Sequence, residues 1–280
     1  MRKRLLLVLA AMAMLVLAAC GASEEPAEST GGEGESGGQF KVGMEAGYAP
    51  FNWTQQDDAN GAIKISGAAE YAGGYDVEIA KKIAEGLGKE LVIVKTEWDG
   101  LVPALQSGVV DAIIAGMSPT EERKQSIDFT ESYYTSDFVI VTKAGGAYAD
   151  AKTLADFTGA KITAQLNTTN YNVIDQIPDV KAQPAMDNFP AMRVAVESGV
   201  IDGYVAERPE AISAAAANEN FTYTVLEKGF KTEIADVSVA VGIRKDYEEK
   251  AKIDETLKAI SEDDRQKLME AAIANQPAAQ

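Results

Sequence analysis

The sequence predicts an α/β protein whose two lobes share one cleft, and two observations support this fold class. From Phe40 onward, short apolar strands alternate with amphipathic helices, which is the order typical of largely parallel sheets. An internal echo relates residues 104–123, ALQSGVVDAIIAGMSPTEER, to residues 195–211, AVESGVIDGYVAERPEA: each has a helix end, Ser-Gly-Val, an Asp and an apolar strand. The alternative is a chance likeness between two generic helix–glycine–strand units. Because ligands bind beyond the carboxyl ends of strands in open α/β sheets, two such lobes would face one shared cleft.

The individual elements follow from the spacing of the apolar residues. After Tyr75, valine, isoleucine, alanine and leucine side chains recur on one helical face, and Gly88 follows as a stop signal. Short runs rich in Val, Ile and Leu between turn residues predict strands. The predicted elements of the first lobe are a strand at 40–44, a helix at 76–87, a strand at 91–95, a short helix at 99–107 and a strand at 111–115.

Before this folded part, the N-terminus has the features of a secretory signal. Basic residues at positions 2–4 precede the unbroken apolar run 5–17, which is too short for a spanning helix. Leu17-Ala-Ala-Cys20 follows, and Cys20 is the only cysteine in 280 residues. The pattern resembles a bacterial lipobox, whose cysteine is acylated on sulfur; an ordinary signal with a stray cysteine is the alternative. We therefore expect a signal peptide over 1–19 and a lipid anchor on Cys20, so that the mature chain is extracytoplasmic and attached to the cell membrane without spanning it.

Composition narrows the classes of function. Residues 20–39 are acidic and rich in glycine, which predicts a flexible tether. The formal net charge of −17 argues against nucleic acid as a partner. The chain has no histidine, so it lacks the usual general base and the commonest metal ligand, and its single cysteine excludes an internal disulfide. We therefore expect a monomer with no cofactor, no metal and no catalytic residue.

Two loops that follow apolar strands supply polar groups for the cleft. Ser118 is a good helix N-cap, Pro119 suits the first helical position and Glu121 completes a capping box, so a helix would begin here with free N–H groups that attract an anion. Arg123 can pair bidentately with a carboxylate, and a solvated arginine on an ordinary capped helix is the alternative. In the second lobe, the carboxylate of Glu207 could meet an ammonium group, or it could be one of the acids common at helix starts.

Further candidates lie early in the chain and in the loop at 165–170. Tyr48 and Trp98 suit the apolar walls of a small-ligand site. Glu45 comes shortly before Tyr48, at the end of the first strand, and could also be a plain surface acid. The loop Gln165-Leu-Asn-Thr-Thr-Asn170 has hydroxyl and amide groups that suit either a helix cap or hydrogen bonds to a ligand.

Several stretches of sequence, taken in order, resemble the family 3 extracellular solute-binding proteins, the amino-acid receptors of bacterial ABC importers. The resemblance covers residues 40–269, nearly the whole folded part. It implies a two-lobed flytrap fold of the type II periplasmic binding proteins, with two hinge strands; lobe 1 is 40–142 plus 236–280, and lobe 2 is 143–235. The motifs that carry it are Tyr48-Ala-Pro-Phe51, Gly74-Tyr-Asp-Val-Glu-Ile-Ala80, Trp98-Asp-Gly-Leu-Val-Pro-Ala-Leu105, Asp111-Ala-Ile-Ile-Ala-Gly-Met-Ser118, Thr120-Glu-Glu-Arg123 and Ile127-Asp-Phe-Thr130 with Tyr133-Tyr134.

The resemblance also implies a site for an α-amino acid. Members of the family commonly have Asp where this chain has Glu45 and Glu207, and they have fewer residues at 54–73, a segment that we expect to be a rim loop over the cleft. The implied ligand-binding residues are Arg123, Ser118 and Gly116 for the ligand carboxylate, Thr168 and Thr169 with Gln165 nearby, Glu207 for the ammonium group, Tyr48 and Trp98 for the walls, and Glu45 for the distal end of the ligand.

The resemblance therefore implies a receptor that binds a polar L-amino acid in the cleft, closes by hinge motion and delivers the ligand to an ABC permease. Glu45 and Glu207 against Arg123 leave one negative charge in excess, which favours a basic ligand such as arginine or lysine. Glutamine is the alternative, because an acid also accepts a hydrogen bond from an amide. Two other classes stay open: a dehydratase-like enzyme on the same fold, and a structural or adhesive lipoprotein.

Overall fold

The structure is a computed structural model that describes residues 38–277. The predicted signal peptide, Cys20 and most of the predicted tether lie outside the described residues. The strands of the described part, in chain order, are β1 (Gln39–Met44), β2 (Gly47–Tyr48), β3 (Asn52–Gln55), β4 (Ile63–Lys64), β5 (Tyr71–Gly73), β6 (Glu90–Lys95), β7 (Ala112–Ile113), β8 (Asp128–Thr135), β9 (Phe138–Lys143), β10 (Lys161–Thr163), β11 (Lys181–Ala182), β12 (Gly203–Glu207), β13 (Phe221–Thr224) and β14 (Ser238–Ile243).

Helices alternate with these strands. The α-helices are α1 (Tyr75–Leu87), α2 (Leu101–Gln106), α3 (Glu121–Ser126), α4 (Thr169–Asn172), α5 (Phe189–Glu197), α6 (Arg208–Ala217), α7 (Ile234–Val237), α8 (Lys250–Ala259) and α9 (Glu262–Asn275). Short 3-10 helices lie at Ala59–Gly61, Trp98–Gly100, Leu154–Phe157 and Ile174–Gln176. The predicted strands and helices of the first lobe correspond to β1, α1, β6, the 3-10 turn with α2, and β7, so the spacing of apolar residues identified them correctly.

Two five-stranded sheets form the two lobes, and they share one pairing pattern. The first sheet has the order β6-β1-β7-β14-β8, and the second has the order β11-β10-β12-β9-β13. In each sheet the first three strands are parallel to one another, and the last two pairs of neighbouring strands are antiparallel. The strands β7 and β12, which the internal echo matched, occupy the same central place. The predicted two-lobed α/β fold is therefore confirmed.

The aspartate of the echo has a structural role in both lobes. Asp111 Oδ2 accepts from the backbone N–H of Lys41 at 3.0 Å, and its own N–H donates to the Lys41 carbonyl at 2.8 Å. Asp202 makes the same two bonds with Lys161, at 2.8 and 2.9 Å. Each pair ties the start of a central strand to its parallel neighbour. The recurrence of this residue in both halves of the chain thus reflects sheet assembly and not the chemistry of a site.

The apolar stripe of α1 buries its face against the first sheet. Val77, Ile79, Ala80 and Ile83 are fully buried there, as the helical spacing predicts. Each such valine or isoleucine contributes about 1.5–3 kcal/mol when it leaves water. Among residues 38–277, no helix combines the length and the apolar character needed to span a bilayer.

The chain passes between the two sheets twice. Ser136 and Asp137 join β8 to β9, and α7 leads from the second sheet into β14. The passages are bonded to each other, because the N–H of Ser136 donates to the carbonyl of Val237 at 2.9 Å. They correspond to the two expected hinge strands. Since β9 pairs in the second sheet, sheet membership favours a first lobe boundary near 136–137, and the division at 142 and 235 stays a prediction.

The long segment at 54–73 lies at an edge of lobe 1. It contributes to a small four-stranded antiparallel sheet of order β2-β3-β5-β4. Ile65 pairs with Ile93 of the edge strand β6, and the N–H of Ser66 donates to the Ile93 carbonyl at 2.8 Å. None of these residues lines the interlobe cavity, so the expected rim loop over the cleft is wrong. The segment instead covers backbone groups of a strand that would otherwise be an open sheet edge.

Candidate ligand-binding site

A small cavity lies between the lobes, beyond the carboxyl ends of the parallel strands. The space left in it is about 10 Å³, which is the room of a single water molecule. Loops after β1, β7 and β10 and the end of β12 all reach it. The lining residues are Tyr48, Trp98, Ala115, Gly116, Ser118, Arg123, Gln165, Thr168, Thr169, Asn170, Phe189 and Glu207.

Most of the predicted ligand-binding residues line this cavity. Glu45 does not line it and is joined to it through a hydrogen bond from Gln165. Sequence reasoning missed Ala115, Asn170 and Phe189 as lining residues. Asn170 is the last residue of the loop at 165–170, whose amide groups the sequence analysis named as possible ligand donors, so it could have been predicted as a site residue. Phe189 lies at the start of a distant helix, where no local signal distinguishes it from a core residue.

Glu207 is the N-cap residue of α6, and its carboxylate is buried at the cleft. Its Oε2 accepts from the hydroxyl of Tyr48 and, at 3.2 Å, from the side-chain amide of Asn170. Burial raises the pKa of Glu207, while these two hydrogen bonds and the charge of Arg123 act in the opposite direction. The carboxylate therefore faces two neutral donors.

Glu45 ends up in a similar setting on the other lobe. Its two carboxylate oxygens accept from Gln165 Nε2 at 3.0 and 3.2 Å. Burial, with a smaller contribution from the carboxylates of Glu97 and Asp99, raises the pKa of Glu45 to about 7. Among residues 38–277, no lysine or arginine nitrogen lies within 4.0 Å of either buried carboxylate. Both acids are thus uncompensated by a cation at hydrogen-bond range.

The helix at the predicted anion site begins later than expected. Thr120 is the N-cap of α3, and its hydroxyl accepts from the N–H of Arg123 at 3.2 Å. The predicted capping box of Ser118 and Glu121 is therefore wrong. Ser118 instead donates its hydroxyl to the carbonyl of Asp236 at 3.1 Å. With only six residues and a cap already in place, α3 offers little helix-end attraction for an anion, and Arg123 is the cationic group of this loop.

Arg123 reaches across the cleft. Its guanidinium donates to the carbonyl of Ser118 at 2.9 Å and to the carbonyl of Asn167, on the other lobe, at 2.8 Å. It also lies over the ring of Trp98, 5.1 Å from the centroid. One face of Trp98, a residue predicted as a wall of the site, is therefore occupied by Arg123. Burial lowers the pKa of Arg123 to about 10, so the group stays charged at neutral pH.

Tyr48 is enclosed on both ring faces. Phe51 stacks on one face at 4.9 Å, and Phe189 of the other lobe stacks on the second face at 4.4 Å. Phe189 is backed edge-to-face by Tyr204 at 6.1 Å. The aromatic wall predicted at Tyr48 is therefore a three-ring stack that spans the cleft.

Behind this wall, an ion pair joins α5 to α6. Arg193 donates to Glu210 Oε1 through Nε at 3.1 Å and a terminal nitrogen at 2.8 Å, and the Tyr204 hydroxyl donates to the same oxygen at 3.0 Å. Glu210 is fully buried, and within residues 38–277 its Oε2 has no hydrogen-bond partner. Since Phe189 belongs to α5 and Glu207 precedes α6, this pair holds the two groups that meet Tyr48 in one block.

Gly116 connects the cavity to a buried network in lobe 1. Its N–H donates to the hydroxyl of Tyr133 at 3.1 Å, and that hydroxyl donates to Asp76 at 2.8 Å. Burial raises the pKa of Asp76 to about 6. The Gly116 backbone has φ of +63°, in the left-handed region that favours glycine. The predicted backbone donor at this position is therefore engaged by Tyr133.

The threonines of the 165–170 loop are engaged by backbone carbonyls. The hydroxyl of Thr168 donates to the carbonyl of Gln165 at 2.7 Å. The hydroxyl of Thr169 donates to the carbonyl of Asp236 at 3.0 Å, the same carbonyl that accepts from Ser118. Asp236 lies in α7, on the second passage between the sheets. A hydroxyl from each lobe thus donates to the same hinge carbonyl, and each hydroxyl oxygen can still accept a hydrogen bond.

Comparison with known proteins identifies the relatives of this arrangement. A sequence profile of the bacterial extracellular solute-binding proteins, family 3, matches residues 40–273. A probable histidine-binding protein of Campylobacter jejuni is 32% identical over 222 residues, which cover 76% of this chain and 80% of that protein. The arginine-binding extracellular protein ArtP of Bacillus subtilis is 34% identical and covers 60% of this chain and 57% of its own.

Solved structures of similar proteins share the fold. An amino-acid ABC transporter substrate-binding protein of Streptococcus pneumoniae, bound to L-arginine, has a TM-score of 0.74 and 26% identity, covering 84% of this chain and 94% of its own. The ancestral amino-acid-binding protein AncCDT-1, a precursor of cyclohexadienyl dehydratase, has a TM-score of 0.67 and 30% identity, covering 84% and 95%. Both of these sequence relatives are named for the amino acid that they bind, and an enzyme precursor stands among the structural neighbours.

Proposed function

The chain belongs to the bacterial extracellular solute-binding proteins of family 3, and from that membership we propose that it is the receptor of an amino-acid ABC importer and binds an L-amino acid with a cationic side chain. One observation carries the choice of side chain. Glu207 lines the interlobe cavity, and Glu45 is joined to it through Gln165. Both carboxylates are buried, and neither has a cationic partner within 4.0 Å in the described part of the chain. A buried carboxylate gains most from a charge-assisted hydrogen bond.

Each end of such a ligand finds a group of opposite charge. Arg123 has five N–H donors, of which two are used by carbonyls, so others remain for the ligand carboxylate. Glu207 receives the α-ammonium group, and Glu45 receives the cationic end of the side chain. The ligand joins residues of both lobes and thereby favours a closed cleft, in which its ion pairs are drier and stronger. The closed form is the one that the permease would recognise.

Relatives support the same class of ligand. The names of two of them refer to histidine and arginine, and the solved structure described above holds L-arginine. These side chains share a planar group that carries positive charge when protonated. This chain has Glu at positions 45 and 207, where members of the family commonly have the shorter Asp. The size of its pocket therefore differs from that of those members.

Thermal melting tests the proposal directly. The full chain, unfolded and refolded to remove carried-over ligand, is melted with each of the twenty L-amino acids. A ligand at 100 times its Kd adds about 2.7 kcal/mol, which raises Tm by several degrees in a protein of this size. We expect the largest shift with arginine, lysine or histidine. No shift with any amino acid would contradict the receptor assignment.

Glutamine is a second candidate, and one contact favours it. Glu45 already accepts from the amide of Gln165, so the same carboxylate can accept from an amide of the ligand. A shift with glutamine alone would keep the receptor assignment and remove the requirement for a cationic side chain.

An enzymatic function on this fold is tested separately. The neighbour that is a dehydratase precursor makes this class relevant. The chain has no histidine to act as general base or acid near pH 7. We expect no product when the chain is incubated with prephenate or arogenate, and release of carbon dioxide and water from either would contradict a purely receptive role.

A further inference from the structure

We propose that Tyr48 is an internal competitor of the ligand: its ring supports binding, whereas its hydroxyl occupies the carboxylate that the ligand ammonium needs and so weakens binding. The inference rests on the proposed function, because it concerns the same site. It assigns opposite effects to two parts of one side chain. Tyr48 and Glu207 come from different lobes, and their hydrogen bond crosses the cleft.

The acceptor oxygen of Glu207 is fully used. Its Oε2 accepts from the Tyr48 hydroxyl and from Asn170 Nδ2 at 3.2 Å. A carboxylate oxygen has about two acceptor sites, so a third donor reaches this oxygen only by displacing one of the two. The free space beside it is about 10 Å³, too little for an ammonium group with its substituents. A ligand ammonium that binds at this oxygen must therefore displace the Tyr48 hydroxyl.

The stacked rings explain why the hydroxyl stands there. Phe51 and Phe189 hold the Tyr48 ring at 4.9 and 4.4 Å, and only 4% of the residue is exposed. In this stack the hydroxyl is directed at Glu207, where it gives a buried carboxylate a neutral donor. A ligand ammonium would supply a charged donor instead, and it adds the Coulomb attraction between two opposite charges, which is strong in a site with little water. Replacing the Tyr48 hydroxyl by the ligand ammonium is therefore favourable, but the gain in binding free energy is smaller than it would be if Glu207 had no hydrogen bond from Tyr48.

Gln165 repeats this arrangement in the opposite direction. It belongs to lobe 2, and its amide donates to both oxygens of Glu45 in lobe 1 at 3.0 and 3.2 Å. The same nitrogen also donates to the carbonyl of Asp187 at 2.9 Å. Each buried acid of the site is thus paired with a neutral donor from the facing lobe. The internal pairs act at both ends of the ligand.

Paired substitutions at Tyr48 separate the ring from the hydroxyl. Kd for L-arginine is measured by titration calorimetry on the refolded full chain at pH 8. In Tyr48→Phe the ring stays and the competing donor is gone, so we expect Kd to fall by about fivefold to tenfold, the worth of one net hydrogen bond. In Tyr48→Ala the wall is lost as well, and Kd rises above that of the wild type.

Tyr171→Phe is the matched control. Its hydroxyl donates to the carbonyl of Gln183 at 3.0 Å within lobe 2, away from the cavity. We expect its Kd to stay within about twofold of the wild type, since surface and remote substitutions change little. A Kd for Tyr48→Phe that is unchanged or weaker than that of the wild type, in a chain that binds L-arginine, would overturn the inference and leave the proposed function intact.

The pH dependence gives a second readout. In Tyr48→Phe a proton can replace the hydroxyl as the partner of Glu207, with Asn170 and the charge of Arg123 still facing it. Because burial raises the pKa of Glu207, the gain in affinity is largest where Glu207 is ionised and shrinks as the pH is lowered. Gln165→Met tests the other pair if the first variant does not fold: it keeps the length of the side chain, and L-arginine should again bind more tightly. Weaker binding in that variant would contradict the inference, and a wild-type chain that binds none of the amino acids would contradict the proposed function itself.

Discussion

Buried carboxylates without a cationic partner distinguish this site at the level of single residues. Glu45 is 7% exposed and Glu207 is 5% exposed, yet each is paired only with neutral donors. Desolvation therefore dominates their titration and raises both pKa values. A protein retains such groups at a cost in stability, which is a reason to connect them with binding.

Glu45→Gln should stabilise the unliganded protein in a pH-dependent way. The folded pKa of Glu45 is about 7, against an ordinary value of 4.5, so its stabilising contribution is present below pH 4.5 and is lost as pH rises through 7. At pH 8 the ionised wild-type residue is disfavoured by up to about 3 kcal/mol, and the glutamine removes that penalty. We expect a higher Tm for the variant at pH 8 and equal values near pH 4. The control is Glu85→Gln, an exposed position on α1, which should change Tm at neither pH.

The same group should make binding of a cationic ligand depend on pH. A cation favours the ionised form of Glu45, so binding releases a proton wherever the residue is protonated beforehand. Affinity for L-arginine should rise from pH 6 to pH 8 and then level off. In Glu45→Gln the affinity is weaker and this rise is smaller. A pH profile identical in wild type and variant would show that Glu45 does not meet the ligand.

At the scale of elements, the loop after β7 and the block of α5 and α6 position the site. The loop turns at Gly116 so that Tyr48 can pack against it, and the block presents Phe189 and Glu207 together. The turn depends on the left-handed backbone conformation of Gly116 and on the close approach of the Tyr48 ring to it. The block depends on the ion pair of Arg193 with Glu210, which is buried on the glutamate side.

Gly116→Ala should disturb both the backbone and the aromatic wall. A Cβ at this position would lie 2.6 Å from a ring carbon of Tyr48, in a backbone with φ of +63°. Gly108 is the matched control, because its φ is +77° but a Cβ there meets nothing within 4 Å. The control variant Gly108→Ala carries only the conformational penalty of about 1–2 kcal/mol. We expect a larger loss of stability and a loss of ligand affinity in Gly116→Ala, measured by urea unfolding and calorimetry; equal losses in both would contradict the close contact with Tyr48.

Breaking the ion pair of Arg193 with Glu210 on one side should be more harmful than removing both partners. Arg193→Met leaves Glu210 buried without its cation, which costs about 3–5 kcal/mol. The double variant Arg193→Met with Glu210→Met removes the uncompensated charge and should recover most of that loss. Lys124→Met, at an exposed pair with Glu121, serves as the control and should change stability by less than about 1 kcal/mol. A double variant as unstable as the single one would show that packing, and not charge, makes the contact.

For the whole molecule, the two lobes are joined by more than their two passages. Arg123 reaches Asn167, and Ser118 and Thr169 meet at the carbonyl of Asp236. These contacts link residues that line the cavity to the passages between the sheets, so closure of the proposed receptor on a ligand would change them. An acidic chain of net charge −17 would carry out this motion beside a membrane to which, by the sequence prediction, it is attached only by lipid.

Cys20→Ala should release the protein from the membrane. Two acyl chains on one cysteine anchor stably, because each buried CH₂ contributes about 0.8 kcal/mol. In cells that express the wild type, we expect the chain in the membrane fraction and labelled by a fatty-acid precursor. The variant should lose the label and leave the membrane fraction, while Ser23→Ala should behave as the wild type. A variant that stays membrane-bound would contradict the lipid anchor.

The sequence by itself determined the order of the elements, the repeated unit of the two lobes and most of the residues that line the cavity. These features rest on local information: the spacing of apolar side chains, a glycine and an aspartate between a helix and a strand, and polar residues directly after strands. A stretch of about twenty residues is therefore enough to predict each of them.

Only the tertiary structure decided how the side chains of the site are paired. Tyr48 and Glu207 are 159 residues apart in the chain, and Gln165 and Glu45 are 120 apart, so no local pattern encodes either contact. The same holds for Phe189 on Tyr48, which come from different lobes, and for Arg123 over Trp98, which lie in different segments of lobe 1. The local cap at Thr120 was also missed, because Ser118 and Thr120 are both good N-caps and only the contact of Ser118 with Asp236 decides between them. Local patterns specify which groups a cleft contains, whereas the packing of the two lobes specifies which of these groups touch.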